Sequence, residues 1–131
     1  MNKRQQEPLG ELQIRIMAMP ENTNAHGDIF GGWILSIMDL AGSSIAQKES
    51  QSRVVTIAVE SMSFLSPVKV GDFVCCYGEL LKIGRTSMRV KLETWVVNQR
   101  TGMRRQVTEG VYTYVSVNEA GQPIPVKRKL E

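Results

Sequence analysis

From residue 28 to residue 46, apolar side chains recur at helical spacing, and that segment constrains the fold more than any other. Phe30, Trp33, Ile34, Ile37, Met38, Ala41 and Ile45 form one continuous stripe of the i, i+3, i+4, i+7 kind. The other side holds Gly31, Leu35, Gly42 and Ser43, with Asp39 as its single charge. A helix that is apolar or small nearly all round must be enclosed by protein. Its least polar part, Ile29 to Ala46, is at the short limit for crossing a bilayer, and within it lie Asp39, three glycines and three serines. A charge and that many small residues argue for a buried helix rather than a membrane span.

Strand-like runs flank the helix and supply the enclosure. In residues 9–19, Leu12, Ile14 and Ile16 alternate with Gln13, Arg15 and Met17, which is strand periodicity. Residues 20–27 read as a loop, as do the polar residues 47–52. Four further strand-like runs cover 53–65, 73–83, 86–97 and 103–117, separated by turn-rich stretches at 66–72, Gly84-Arg85, 99–102 and 118–121. Met88, Val90 and Leu92 alternate with Arg89, Lys91 and Glu93, predicting one buried and one wet face. Short connections predict that the later strands are antiparallel neighbours.

A sheet of five long strands with one helix must curl around that helix to cover it. The expected architecture is therefore α+β, the hotdog fold, a five-stranded antiparallel sheet wrapped around one long central helix. Trp33, Trp95, Met38 and Phe64 are expected in its core, with the lining of an acyl tunnel as the alternative. One helix leaves much of a long sheet uncovered, so a second subunit is expected to complete it. The 131 residues make one domain over 9–121, with a polar lead at 1–8 and a basic tail at 122–131 expected to be mobile.

Composition excludes several classes. A net charge of +3 and a pI near 9.0 permit an anionic ligand without the dense basic face of a nucleic-acid binder. The Met1-Asn2-Lys3-Arg4 start is not followed by an apolar core, so no secretory signal is read and a cytoplasmic location is expected. Cys75 and Cys76 are adjacent in a strand and point to opposite faces, which keeps them from pairing. No metal-ligand spacing occurs, and no metal or cofactor is expected.

The segment with chemical content is Asn22-Thr23-Asn24-Ala25-His26-Gly27-Asp28-Ile29-Phe30-Gly31-Gly32-Trp33. It brings a carboxylate and three glycines to the start of a buried helix. There the N–H groups are unpaired and the dipole is positive, which suits an anion or a developing oxyanion. Asp28 fits an N-cap as well as it fits a functional carboxylate. Gly31 and Gly32 each cost up to about 1 kcal/mol in helix propensity, so they point to close approach by a ligand or by another element. His26, the only histidine, reads as a base or as a loop residue lining an entrance. Asn24 reads as an orienting group or as an Asx turn.

The run Asn24-Ala25-His26-Gly27-Asp28-Ile29-Phe30-Gly31-Gly32 resembles the signature of the YciA-type acyl-CoA thioesterases. The likeness continues through Arg53-Val54-Val55-Thr56, Phe64-Leu65-Ser66-Pro67-Val68, Val70-Gly71-Asp72 and Gly84-Arg85-Thr86-Ser87, across residues 11–122. It implies a hotdog enzyme that hydrolyses acyl-CoA to free acid and CoA, working as a dimer that assembles into a trimer of dimers. It puts the essential carboxylate on Asp28, as general base or nucleophile, with Asn24 beside it. Phe30, Gly31, Gly32 and His26 would hold the oxyanion and substrate, and Gly84, Arg85, Thr86 and Ser87 would contact CoA. Arg53, Lys82, Arg104 and Arg105 are further candidates for its phosphates. Two rivals remain on the same fold: a hydratase or dehydratase using His26 with Asp28, and a non-catalytic acyl-CoA sensor.

Overall fold

The computed structural model describes residues 7–127. Strand β1 (Glu11–Met17) leads through a short 3-10 turn (Pro20–Asn22) to helix α1 (Gly31–Ser50). Four strands follow: β2 (Arg53–Phe64), β3 (Phe73–Ile83), β4 (Ser87–Val97) and β5 (Arg104–Val117). They form one antiparallel sheet in the order β1-β3-β4-β5-β2. The expected hotdog architecture is what the chain adopts.

One neighbour relation differs from expectation. β2 and β3 do not pair, although only a short connection joins them; β2 lies against β5 at the far edge. The connection runs across the end of the sheet and is held there by backbone bonds. Leu65 N–H donates to Val107 O (2.7 Å), Ile29 N–H to Val68 O (3.0 Å) and Gly71 N–H to Ala18 O (2.9 Å). A connection whose amides find partners in other elements need not close a hairpin.

α1 is longer than its apolar stripe, running through residues 47–50 that read as loop. It stops where Gln51 turns left-handed (φ 54°) and its N–H returns to Gln47 O at 2.7 Å, an αL cap. Its core-facing side, Ile34, Ile37, Met38 and Ala41, packs on Val74, Cys76, Met88, Val90, Leu92, Tyr112 and Tyr114 of the concave face. Each fully buried aliphatic side chain contributes about 1.5–3 kcal/mol. Gly42 permits the closest approach, since a Cβ there would run into the Tyr114 hydroxyl and Leu92. Tyr112 and Tyr114 donate to the helix carbonyls of Leu35 and Asp39, each at 2.9 Å.

The convex face is wet at Arg89 and Lys91 but not beyond them. Glu93 and Trp95 are buried there, Glu93 Oε1 accepting from Trp95 Nε1 (2.9 Å) and from Leu9 N–H (3.4 Å). The chain before β1 therefore lies over this face, and Gly10 (φ +86°) meets the Gly78 carbonyl where a Cβ would not fit. Trp95 and Met38 are core residues as expected, and Trp33 is partly buried against the core. Phe64 is not: it stays 52% exposed, its ring beside Gly31. Cys76 faces the helix and Cys75 the other way; both are free and buried.

The tail also departs from expectation as far as residue 127, while residues 128–131 lie outside the described residues. Ile124 N–H donates to Ser116 O and Val126 N–H to Arg85 O, both at 2.9 Å, and Val126 joins the core. Apolar residues at 124 and 126 hold down a segment whose prolines and charges suggested mobility. One side of the fold has no cover: Phe30, Leu40, Val55, Ile57, Val59, Phe64 and Leu65 are all exposed. They lie along the free edge of β2 and the adjoining helix side. No helix is long and apolar enough to cross a membrane among the described residues.

Candidate active site

Two places along helix α1 gather groups suited to acyl-transfer chemistry. The first is the helix start. The N-cap of α1 is Phe30, not Asp28, and no side chain caps it. The cause is the preceding loop, which supplies backbone partners instead: Phe30 N–H donates to Asn22 O at 2.8 Å and Ile29 N–H to Val68 O. Phe30 thus drops out of the expected set of oxyanion donors. Gly31 and Gly32 remain, their N–H groups having no acceptor among the described residues. A Cβ on Gly32 would meet nothing within 4 Å, and one on Gly31 would only touch the Phe64 ring at 3.6 Å. Packing among the described residues does not require glycine at Gly32, and the space above it is open.

Asn24 is an Asx turn. Its Oδ1 accepts from His26 N–H (2.8 Å) and Asp28 N–H (3.2 Å), and its own N–H donates to Asp28 O at 2.7 Å. The loop is thereby fixed around Asp28. The Asp28 carboxylate pairs with Lys69 of the β2–β3 connection, and both side chains are well exposed, at 37% and 60%. Lys69 was not legible as a partner, because the two are joined only by the path of that connection. His26 is exposed on the loop.

The second place lies farther along the helix. Leu35, Ser36 and Asp39 of α1, Thr56 and Val59 of β2 and Tyr112 of β5 line a cleft of about 260 Å³. Asp39 Oδ1 accepts from Thr56 Oγ1 (2.7 Å) and Tyr114 OH (3.0 Å). Burial, followed by the Asp39 charge, pushes the Tyr112 and Tyr114 hydroxyls well above the usual phenol range. Both therefore stay protonated, and Tyr114 donates to Asp39. In the sequence Asp39 stands only as the single charge within an otherwise apolar helix. A carboxylate retained in that position is itself the signal that could have singled it out.

The remaining predicted residues are at the other end of the sheet. Gly84, Arg85, Thr86 and Ser87 form the β3–β4 turn, closed by Gly84 N–H to Ser87 O at 2.8 Å. Within one chain this turn and Gly31 are separated by the length of β3, about 35 Å at 3.3 Å per residue, so a single chain does not bring them together. Of the proposed phosphate cations, Arg104 pairs with Glu7, and Arg105 bonds Asp72 and the Pro67 carbonyl. Both are committed elsewhere. Arg53 donates to Glu119 O at 3.1 Å, while Lys82 and Arg85 are exposed. No group of three or more His, Cys, Asp or Glu side chains suited to a metal occurs among the described residues.

A five-stranded sheet wrapped on one helix, with unpaired amides at the helix start, is the frame of a hotdog thioesterase. A family model described as the thioesterase superfamily matches residues 26–103, and the chain belongs to that family. Its relatives include the Escherichia coli K12 acyl-CoA thioester hydrolase YciA, 46% identical over 125 residues, which are 92% of this chain and 95% of that one. An uncharacterized acyl-CoA thioester hydrolase of Haemophilus influenzae is 47% identical over 131 residues, 98% of this chain and 85% of that one. Among solved structures, a hexameric thioesterase from Yersinia pestis superposes with a TM-score of 0.88 at 48% identity, covering 92% of this chain and 99% of the other.

Proposed function

We infer that this chain hydrolyses the thioester of fatty acyl-CoA to the free acid and CoA, in a site shared by two copies paired along β2. The observation that carries the reading is the Asp39 carboxylate, held by Thr56 and Tyr114 in a cleft beside the unpaired, apolar β2 edge of the sheet. Along that edge Thr56 lies over Asp39 and Phe64 over Gly31. Two β2 edges that pair antiparallel about a twofold axis bring the Thr56 end of each chain toward the Phe64 end of the other. Asp39 of one protomer then approaches the free Gly31 and Gly32 amides of its partner. The same turn brings the partner's Gly84–Ser87 end to the level of this helix start, reuniting the two halves of the expected site. The relatives described as hexameric thioesterases support a further assembly of such dimers into a hexamer.

In this arrangement Asp39 takes a proton from water as it attacks the thioester carbonyl. The amides of Gly31 and Gly32, at the positive end of α1, receive the oxyanion. The departing thiolate has a conjugate acid with a pKa of about 8.5, so it leaves with little acid help. No metal or cofactor enters the scheme, and the enzyme works in the cytoplasm.

A second reading keeps Asp28 as base or nucleophile, with Asn24 fixing its loop; its nearness to the same amides favours it. Against it stand the ion pair with Lys69, which occupies one carboxylate oxygen, and the solvated setting. Thiol release from a chain-length series of acyl-CoAs, with wild type, Asp39→Asn and Asp28→Asn side by side, tests both. Loss of turnover in Asp39→Asn alone supports the first reading, and loss in Asp28→Asn alone replaces it with the second. A wild-type protein that binds but does not turn over any acyl-CoA ends the hydrolase reading altogether.

A further inference from the structure

Charges are matched at the helix-start end and along the middle of the sheet. Lys69 has Asp28, Arg105 has Asp72, Arg89 has Glu60, Arg104 has Glu7, and Lys91 approaches Glu93 at 4.0 Å. The hairpin end is different. Lys82 near the end of β3, Arg85 of the β3–β4 turn, Arg53 at the start of β2, and Lys127 form no ion pair among the described residues. Register brings these elements together, with Arg53 opposite Val117 and Ser87 opposite Val115. Lys48, Arg100 and Arg15 also form no ion pair, but each stands singly, Arg15 over the Phe73 ring.

The chain after β5 is built into this end. Asn118 Oδ1 accepts from Ala120 and Gln122 N–H (3.0 and 2.9 Å) and turns the chain back. Ile124 N–H then bonds Ser116 O, and Val126 N–H bonds the carbonyl of Arg85 itself. Ser116 N–H holds the next carbonyl, that of Thr86, at 2.8 Å. The turn carrying Arg85 is thus clamped from two sides. With Val126 turned into the core at 9% exposure, Lys127 emerges into solvent next to Arg85.

We propose that residues 122–127 form a strap that completes a binding site for the phosphates of CoA, with Lys127 as a second cation beside Arg85. The proposal rests on the reading that the Gly84–Ser87 turn receives the nucleotide half of the substrate. Like charges set side by side without an ion pair repel one another, and an incoming phosphate relieves that repulsion. Clamping of the turn fixes the cations before the anion arrives, which lowers the entropic cost of binding.

The test compares acyl-CoA with the same acyl group on N-acetylcysteamine, which lacks all the phosphates. Lys127→Ala is expected to raise KM for acyl-CoA about five- to tenfold with kcat within about twofold, and to leave both constants on the short thioester unchanged. Lys127→Arg restores the KM, and the rise of KM with added salt is shallower in Lys127→Ala than in wild type. Arg85→Ala separates the two layers of inference. If it raises KM for acyl-CoA and Lys127→Ala does not, the strap is overturned and the turn stands. If neither changes KM, the turn is not the phosphate site and both fall. Equal losses on the two substrates in Lys127→Ala also overturn the proposal.

Discussion

Asp28 and Asp39 are both carboxylates beside the same helix, yet their surroundings differ in kind. Asp28 sits in a solvated loop with an ammonium on it, and its backbone is fixed by Asn24. Asp39 projects from the body of the helix into an apolar cleft, where two hydroxyls hold one oxygen. A carboxylate screened by water and a cation is inexpensive to keep, and little is learned from finding it. One oriented by two hydroxyls from different strands is held in a single geometry, as a catalytic carboxylate must be. The motif around Asp28 is conspicuous because it is contiguous, whereas the setting of Asp39 comes from three elements distant in sequence.

The largest expected effect turns this contrast into a measurement. Asp39→Asn should lower kcat by a factor on the order of 10² or more, while Asp28→Asn lowers it by less than about tenfold, both measured by thiol release. The reverse order would exchange the roles of the two residues. Next in size is the shared edge. Ile57, 57% exposed on β2, changed to Lys should prevent pairing of two copies, and light scattering should find a folded monomer with under about a tenth of wild-type activity. A monomer as active as wild type would place the whole site within one chain.

Gly32→Ala separates stability from activity. The added Cβ meets open space in the single chain and improves helix propensity, so the melting transition should rise by the equivalent of up to about 1 kcal/mol. Turnover should nevertheless fall, because the methyl fills the space above the free amides. A variant that gains stability and keeps full kcat would remove Gly32 from the site.

Alkaline titration probes the core behind Asp39. Burial pushes the Cys76 thiol from its ordinary 9.0 up to about 12, and Tyr114 is pushed upward as well. A pKa raised in the folded state gives stability that is fully present below the unfolded value. That part is lost as pH rises through the folded value. Denaturant midpoints should therefore be level below about pH 9 and decline toward pH 12, with the thiols unreactive to alkylation in the native protein. The smallest effect is expected at Lys69→Ala. Removal of an exposed ion-pair partner should change stability by no more than about 1 kcal/mol, read from the same midpoints. A large drop in kcat there would return weight to Asp28.

Sequence alone determined the elements and the fold, because period is a local property. The helical stripe from Phe30 to Ile45 and the alternation from Met88 to Glu93 are each readable within a few turns or pleats. An all-round apolar helix among strands leaves few ways to enclose it. The thioesterase motif was legible for a similar reason, lying in one unbroken stretch before and after Gly27. The tertiary structure decided whatever depended on which distant segments meet. It moved the helix start from Asp28 to Gly31, since the Asn22 and Val68 carbonyls, not a capping side chain, receive the amides of Phe30 and Ile29. β2 went to the far edge beside β5, leaving an open apolar side. The tail was tied to Arg85 through Val126. Asp39 was brought against Thr56 and Tyr114, a juxtaposition with no period and no motif to announce it. Long-range contacts of this kind follow from how a sheet closes over its helix, and residue spacing along the chain carries no record of that.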